Sequence, residues 1–395
     1  MLTFRVLLVL ILHMNAHCMY LNWTSHDRPN IVMLMSDAFD GRLTFSPGNK
    51  VVQLPYINYM REMGAVFLNS YTNSPICCPS RAAMWSGQFV HLTQAWNNYK
   101  CLNANATTWM DHLGKSGYHT HSMGKLDYTS GHHSVSNRVE AWTRDVPFLL
   151  RQEGRPVTDQ VGDTSTKRVM TKDWNITDAA VQWIRNTAVS LTQPFALYVG
   201  LNLPHPYRTD SLGPTAGGST FRTSPYWLNK AEYLAGVPQP GGLSGHSLIP
   251  LVSGVRVRSA EPHPSWVFSE YHGCNANAST YMLRIGEWKY ITYADGLTVP
   301  PQLFNLSKDE SELRNVASHF PDVCQDLDKL LRTIVDYPNV SQAVHRYNRQ
   351  QFLEWKQSLG DSYSQVIANL RWHIDWQKDA KSYERDIEEW LLELD

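Results

Sequence analysis

The residues best equipped for chemistry lie together in Pro75-Ile76-Cys77-Cys78-Pro79-Ser80-Arg81-Ala82-Ala83-Met84-Trp85-Ser86-Gly87. A cysteine stands two positions before a proline, and an amphipathic run follows. Proline is favoured in a first helical turn, where its missing N–H leaves no bond unmade. Cys77 would then sit at a helix N-terminus, where free amides and the helix dipole attract an anion. Arg81, one turn on, adds a permanent cation whose forked donors suit sulfate or phosphate oxygens. Two readings stay open on spacing alone: a reactive Cys77 in an anion site, or Cys77 and Cys78 as a buried or disulfide-bonded pair.

A site of this kind needs elements to hold it. Residues 29–37 form an apolar run ending in the carboxylate of Asp37, the pattern of a parallel strand buried on both faces. Helical spacing over 54–63, with Gly64 at the C-cap position, is followed by a predicted strand over 65–71. The pattern recurs as a helix over 107–115, a strand over 118–123, a helix over 174–187 with Asp173 or Asn175 as N-cap, and a buried strand over 195–201. This alternation predicts a doubly wound, mostly parallel α/β sheet, whose ligands belong beyond the carboxyl ends of the strands. After Tyr207 come loop-like stretches, then three alternating segments (265–270, 280–285, 288–293) that read as an antiparallel meander. A helix over 310–337 and a pair of tail helices over 342–395 complete the chain.

Composition limits the class of function. Of 395 residues, 43% are apolar and 18% charged, which supplies a core and excludes wholesale disorder. With Lys+Arg 35 against Asp+Glu 36, the net charge of -1 offers no general field for nucleic acid. Fourteen Trp and nineteen Tyr suit the packing of flat sugar rings. Residues 1–20 carry one cation, Arg5, then an apolar run, then small and polar residues, the order of a secretory signal, with residues 1–18 taken as the signal peptide. That run is too short to span a bilayer, and no membrane span is expected. Sequons at Asn22, Asn105, Asn175, Asn277, Asn305 and Asn339 fit a glycoprotein that is secreted or lysosomal. The cysteines (18, 77, 78, 101, 274 and 324) are too sparse for a disulfide scaffold.

Cys-x-Pro-Ser-Arg-x4-Ser-Gly, from Cys77 to Gly87, resembles the signature of the type I sulfatases, a family in which the first Cys is oxidised to formylglycine (3-oxoalanine). Other segments agree in order. Asn30–Asp37 resembles the family's first strand, ending in a calcium-binding Asp; Gly124-Lys125 its Gly-Lys segment; Leu203-Pro204-His205-Pro206 its Pro-His segment; 234–248 its Ala-Gly-Ile-Pro segment; and 303–310 its closing segment. The resemblance implies an alkaline-phosphatase-like fold with a small C-terminal antiparallel α+β subdomain and a helical tail. It also implies sulfuric ester hydrolysis on glycosaminoglycan sugars, 2-sulfated glucuronate among them, with Ca²⁺ as cofactor and the formylglycine-generating enzyme as a partner during secretion. By the same resemblance Asp37 and formylglycine 77 would bind the metal, and Arg81 would hold both in place. Lys125 would neutralise a sulfate or leaving oxygen, and His205, fixed between two prolines, would contact sulfate or donate the leaving-group proton.

The chain also departs from the family pattern. Ala38 stands where a second metal-binding Asp is usual, with Asp40 out of register, and Lys125 is followed by Leu126-Asp127 rather than Trp-His. A long block that carries the remaining calcium ligands and a second lysine is missing, the chain passing from Tyr233 directly to Leu234; Asp111-His112 falls in a predicted helix and does not replace it. His132-His133 is a poor metal pair, because adjacent side chains of an extended segment point apart. The expected organisation is an N-terminal catalytic part over 30–233, a C-terminal subdomain over 234–340 and the tail over 341–395. Weak calcium affinity and little turnover are expected, which leaves a second reading: a catalytically impaired secreted glycoprotein that retains sulfate binding. A phosphate or phosphonate hydrolase of the same superfold would carry Ser or Thr at position 77, so Cys77 argues against it.

Overall fold

The protein is described here by a computed structural model, over residues 6–7, 28–45, 48–50, 52–130, 142, 163–204, 242–244, 263–273, 278–368 and 373–392. A first sheet is built from β1 (Val6–Leu7), β2 (Asn30–Met35), β3 (His119–Gly124) and β4 (Phe195–Gly200), all parallel and ordered β1-β2-β4-β3. β4 is buried along its whole length, and its alternating side chains feed two cores. Ala196 and Tyr198 face a cluster that includes Trp85 and Ala82 of α2 (Cys77–Ser86) and Trp109 and Leu113 of α4 (Trp109–Lys115); α1 (Pro55–Met63) and α3 (Val90–Thr93) fall between β2 and α4 in the chain. Phe195, Leu197 and Val199 face α5 (Asp163–Gln182), through Ile176 and Ala180. The outcome is a helix–sheet–helix sandwich, in which each fully buried large apolar side chain contributes about 1.5–3 kcal/mol.

The second sheet is the antiparallel meander β5 (Trp266–Tyr271), β6 (Thr280–Ile285), β7 (Trp288–Tyr293) and β8 (Gln302–Asn305). One face is covered by α6 (Pro321–Ile334), whose Leu327 and Leu331 pack on Leu283, Tyr290 and Leu303. The tail comprises α7 (Tyr337–Leu359), α8 (Tyr363–Ala368) and α9 (His373–Leu392), joined by Phe352, Tyr363, Ile367, Ile387 and Trp390. α7 also returns to the nucleophile region: Val344 packs with Ala83, Val90 and Trp96. Among the described residues, no helix is long and apolar enough to cross a membrane.

The expected doubly wound sheet with a C-terminal antiparallel unit and helical tail is present, and several local expectations are corrected. Residues 65–71 form no strand; Val66 and Leu68 are exposed, and Arg284 engages Asn69 and Tyr71 instead. β2 is not buried on both faces, because Leu34 is 57% exposed: α5 covers Val32 and β4 on that side but does not extend over Leu34. The helix expected from 174 starts at Asp163, so Asp173 is an interior residue and not an N-cap. The helix expected from 310 starts only at Pro321. Before it, Asp309 accepts a bond from the Arg314 amide and Asn315 from the Leu303 and Ala317 amides, local bonds that compete with helix formation. α7 runs unbroken across position 341. Val6–Leu7, inside the expected signal segment, pair in parallel with Asn30 and Ile31.

Candidate active site

Strand register decides which residues meet. Met35 pairs with Gly200 on one side of β4, and Gly124 with Gly200 on the other. The carboxyl ends of three strands therefore lie in one row, with Lys125 one residue past it and Asp37 two residues past it. The Lys125 amide closes the row by donating to Gly200 O at 2.8 Å. Gly124 is required there: at φ +85° its backbone approaches Gly200 so closely that a Cβ would strike the Gly200 carbonyl.

Opposite that row lies the start of α2. Cys77 is its first residue and Pro79 lies in its first turn, as the spacing predicts, while Gly87 ends it in the left-handed region at φ 70°. The open alternative for the two cysteines is resolved. Cys78 is disulfide-bonded to Cys101, Cys77 is free, and the Cys78 amide is capped by Asn98 Oδ1 at 3.0 Å. Cys77 thus remains available at a helix N-terminus, with Lys125 Nζ donating to its Sγ at 3.9 Å.

Charge converges on this point. Asp37 Oδ2 is in direct contact with Lys125 Nζ and lies 3.5 Å from Arg81 Nη2. A second carboxylate, Asp127 Oδ2, lies 3.6 Å from Lys125 Nζ. Arg81, 3% exposed, is held by Nη1 donating to Lys125 O at 2.6 Å and to Tyr198 Oη at 2.8 Å. Burial pushes the Lys125 ammonium down, yet the neighbouring Cys77 and Asp37 outweigh burial and the repulsion of Arg81, so its pKa moves up and it stays cationic. Burial raises the Tyr198 phenol against the pull of Arg81, which keeps it a neutral donor. Two cations, two carboxylates and a sulfur in a confined opening can bind a tetrahedral oxyanion and stabilise charge on a leaving oxygen.

His205 lies outside the described residues, as do His132-His133 and the Tyr233–Leu234 junction. The segment leading to His205 is nevertheless anchored at the site. Asp37 N donates to Leu203 O at 3.2 Å, and the buried Asp173 carboxylate accepts from Asn202 N, Asn202 Nδ2 and Leu203 N at 2.7–3.0 Å. Asp127, Tyr198 and Asp173 were not legible as site residues. The one signal was the hydroxyl of Tyr198 inside the otherwise apolar Phe195–Gly200; Asp173 is one of several charged residues in a polar helix and carries none.

The described residues do not by themselves fit a calcium ion. Ca²⁺ takes six to eight oxygens, whereas Asp37 already faces Lys125 and Arg81, Asp127 faces Lys125, and no group of three or more His, Cys, Asp or Glu with metal-holding geometry occurs among the described residues. The positive charge at Asp37 is here supplied by side chains.

Comparison with known proteins identifies the family. Residues 29–282 match the sulfatase family. The chain is 66% identical to arylsulfatase K of Danio rerio, covering 99% of this chain and 100% of that protein, and 43% identical to arylsulfatase K of Homo sapiens, covering 92% of each. The Danio rerio alignment extends over 521 residues against the 395 of this chain, so well over a hundred of its positions face no residue here. Among solved structures, a 2-O GAG sulfatase superposes with TM-score 0.59 at 17% identity, over 79% of this chain and 93% of that one. A protein in complex with its substrate D-glucosamine-2-N,6-O-disulfate superposes with TM-score 0.56 at 13% identity, over 81% and 99%. A phosphonate monoester hydrolase from Silicibacter pomeroyi shares the fold at TM-score 0.53, so the architecture alone does not select the ester. The sequence comparison does: the chain, whose free Cys77 lies beside Lys125, belongs to the sulfatase family and is an enzyme of sulfuric ester hydrolysis.

Proposed function

We propose that this sulfatase removes sulfate from glycosaminoglycan sugars, 2-sulfated glucuronate among them, with residue 77 as nucleophile after its conversion to formylglycine. One observation carries the reading: Cys77 is a free thiol at a helix N-terminus beside Lys125, while its neighbour Cys78 is committed to Cys101. Hydrated formylglycine supplies an oxygen nucleophile and releases sulfate on returning to the aldehyde. The roles of the chain's own residues follow from charge and position. Lys125 draws a sulfate oxygen toward residue 77, and Arg81 holds the Asp37 carboxylate and the Lys125 carbonyl in register. His205, at the end of the Leu203-Pro204 segment, donates the proton that the departing sugar oxygen takes up. No step is assigned to calcium, since the described donors do not compose a site for it. The names of a 2-O GAG sulfatase and of a glucosamine disulfate complex among the structural neighbours support the sugar class. Passage through the secretory route to the lysosome or the exterior, glycosylation at the six sequons, and encounter with the formylglycine-generating enzyme belong to the same proposal.

The test is peptide mass spectrometry of residue 77 in protein secreted from cultured cells, together with sulfate release from a chromogenic aryl sulfate and from a 2-sulfated uronate disaccharide. Conversion at position 77, with turnover lost in Cys77→Ala, is the expected result. An unmodified thiol, or turnover that survives Cys77→Ala, overturns it. A second reading, an impaired glycoprotein that retains sulfate binding, is favoured by the missing aligned positions and by the full pairing of Asp37. Conversion at residue 77 with sulfate binding but no sulfate release selects it.

A further inference from the structure

Away from the site, Glu270 of β5 is fully buried between two imidazoles. Its Oε1 accepts from the His91 amide at 2.9 Å and lies 3.0 Å from His91 Nδ1, while its Oε2 lies 3.0 Å from His272 Nε2. The side chains of Glu270 and His272 have no exposure, and His91 has 8%. The second nitrogen of His272 meets Ser279 Oγ at 2.9 Å, and its ring stands edge-on to Trp96. A buried carboxylate is costly to desolvate, so its retention calls for partners this well arranged.

The backbone of the same strand holds another group. Glu270 N and Ser269 Oγ both donate to Asn73 O, at 2.7 and 3.0 Å, and Asn73 Oδ1 accepts from Val90 N at 2.8 Å. These bonds close a ring: Asn73 to Val90 and His91 at the start of α3, His91 to the Glu270 side chain, and the Glu270 backbone to Asn73. The ring brackets α2. Asn73 lies four residues before Cys77, and Val90 four residues after Ser86, so both ends of the nucleophile helix are tied to one point of the second sheet.

We infer that Glu270 is the positioning residue of the nucleophile: through His91 and Asn73 it clamps both flanks of α2 to β5 and thereby fixes Cys77 opposite Lys125 and Asp37. This deepens the functional reading above in one respect, since it takes residue 77 as the reacting group; it is independent of the sugar class and of calcium. Helix α2 is also anchored from within, by the Cys78–Cys101 disulfide, by Asn98 Oδ1 on the Cys78 amide and by Arg81 on Lys125 O and Tyr198 Oη, so what the ring adds is restraint of the chain entering and leaving the helix. Directional bonds at both flanks supply that restraint, and displacement of a nucleophile by about 1 Å can cost up to about 10²-fold in rate.

The experiment uses Glu270→Gln in the full chain, with two readouts. Labelling of residue 77, by iodoacetamide for a thiol and by an aminooxy probe for an aldehyde, is followed by mass spectrometry and needs no turnover; Cys324, the other free cysteine among the described residues, reports global opening. Turnover of an aryl sulfate then separates kcat from KM. Expected are a change of about tenfold in labelling at 77 with Cys324 unchanged, and a roughly tenfold loss of kcat with KM within about twofold. Leu283→Ala, which opens a cavity in the same sheet without removing any bond of the ring, leaves residue 77 at the wild-type rate. If Glu270→Gln does not fold, His91→Gln takes its place with the same expectation. Wild-type labelling at 77 in the folded variant, or an equal change in Leu283→Ala, overturns the inference. So does failure of both ring variants to fold while Leu283→Ala folds. Loss of turnover without conversion at 77 would instead count against the nucleophile assignment.

Discussion

Asp37 and Glu270 are each a carboxylate gripped by two basic side chains, yet they serve opposite ends. Glu270 has imidazole partners whose rings are themselves packed, and neither it nor His272 reaches solvent. Asp37 has the long, flexible Lys125 and the anchored Arg81, and all three keep a little exposure at the mouth of the strand row. The first arrangement fastens two parts of the fold. The second holds charge that an incoming anion can redistribute: a sulfate drawing on Lys125 and Arg81 competes with Asp37 for them. A closed ion cluster makes a clamp, and an open one makes a binding site.

The difference can be broken from either side. Cys77→Ala should remove the reacting group from the open cluster and lower sulfate release by at least about 10³-fold with the melting temperature nearly unchanged, as read by kinetics and calorimetry on one preparation. Glu270→Ala should do the reverse first, costing about 4 kcal/mol of stability in denaturant titration because two buried imidazoles and the His91 amide lose the carboxylate they bond. Burial pushes the Glu270 carboxyl up, but hydrogen bonds and charge from His272 and His91 outweigh it and hold the pKa at about 2 against a usual 4.5. The native state therefore binds fewer protons than the unfolded chain between those values. Stability from this group is complete above about pH 4.5 and declines as pH falls toward 2, by about 3 kcal/mol in all. Wild-type protein should show that acid slope in pH-dependent melting and Glu270→Gln should lose it.

Smaller effects refine the picture. Replacing Cys78 and Cys101 together by Ser releases a loop of sequence separation 23 and should cost about 3 kcal/mol in denaturant titration, while the labelling of Cys77 stays within about twofold. Lys125→Ala should leave Asp37 with Arg81 alone and reduce kcat/KM about 10²-fold, a loss of anion stabilisation that added salt does not restore. Thr108→Ala removes a capping box, in which Thr108 and Asp111 each bond the other's amide at the start of α4, and should cost about 1 kcal/mol in a thermal melt without affecting the site.

Much of the fold was legible because its signals are local. The apolar run of β4, the proline in the first turn of α2 and the alternation of β5 to β7 each follow from periodicity over a few residues. The failures are instructive for the same reason. Residues 65–71 have a strand-like composition, but pairing needs a neighbour that local pattern cannot guarantee. Asp173 looks like a cap beside Trp174 and is instead an interior helical residue whose carboxylate organises Asn202 and Leu203, some thirty residues away. Glu270 reads as one polar position in an alternating strand, and nothing in its neighbourhood announces His91, 179 residues earlier.

By itself the sequence determined a cysteine pair at the head of a helix and the cation one turn on, because proline chemistry and helical spacing are properties of adjacent residues. Tertiary structure decided which cysteine stays free, since it brings Cys101, 23 residues on, to Cys78 and not to Cys77. It also decided that Asp37, Lys125 and Arg81 form one cluster, through a strand register that puts Met35, Gly124 and Gly200 in a row. Charge acts through space, and only the completed fold sets the distances over which it acts.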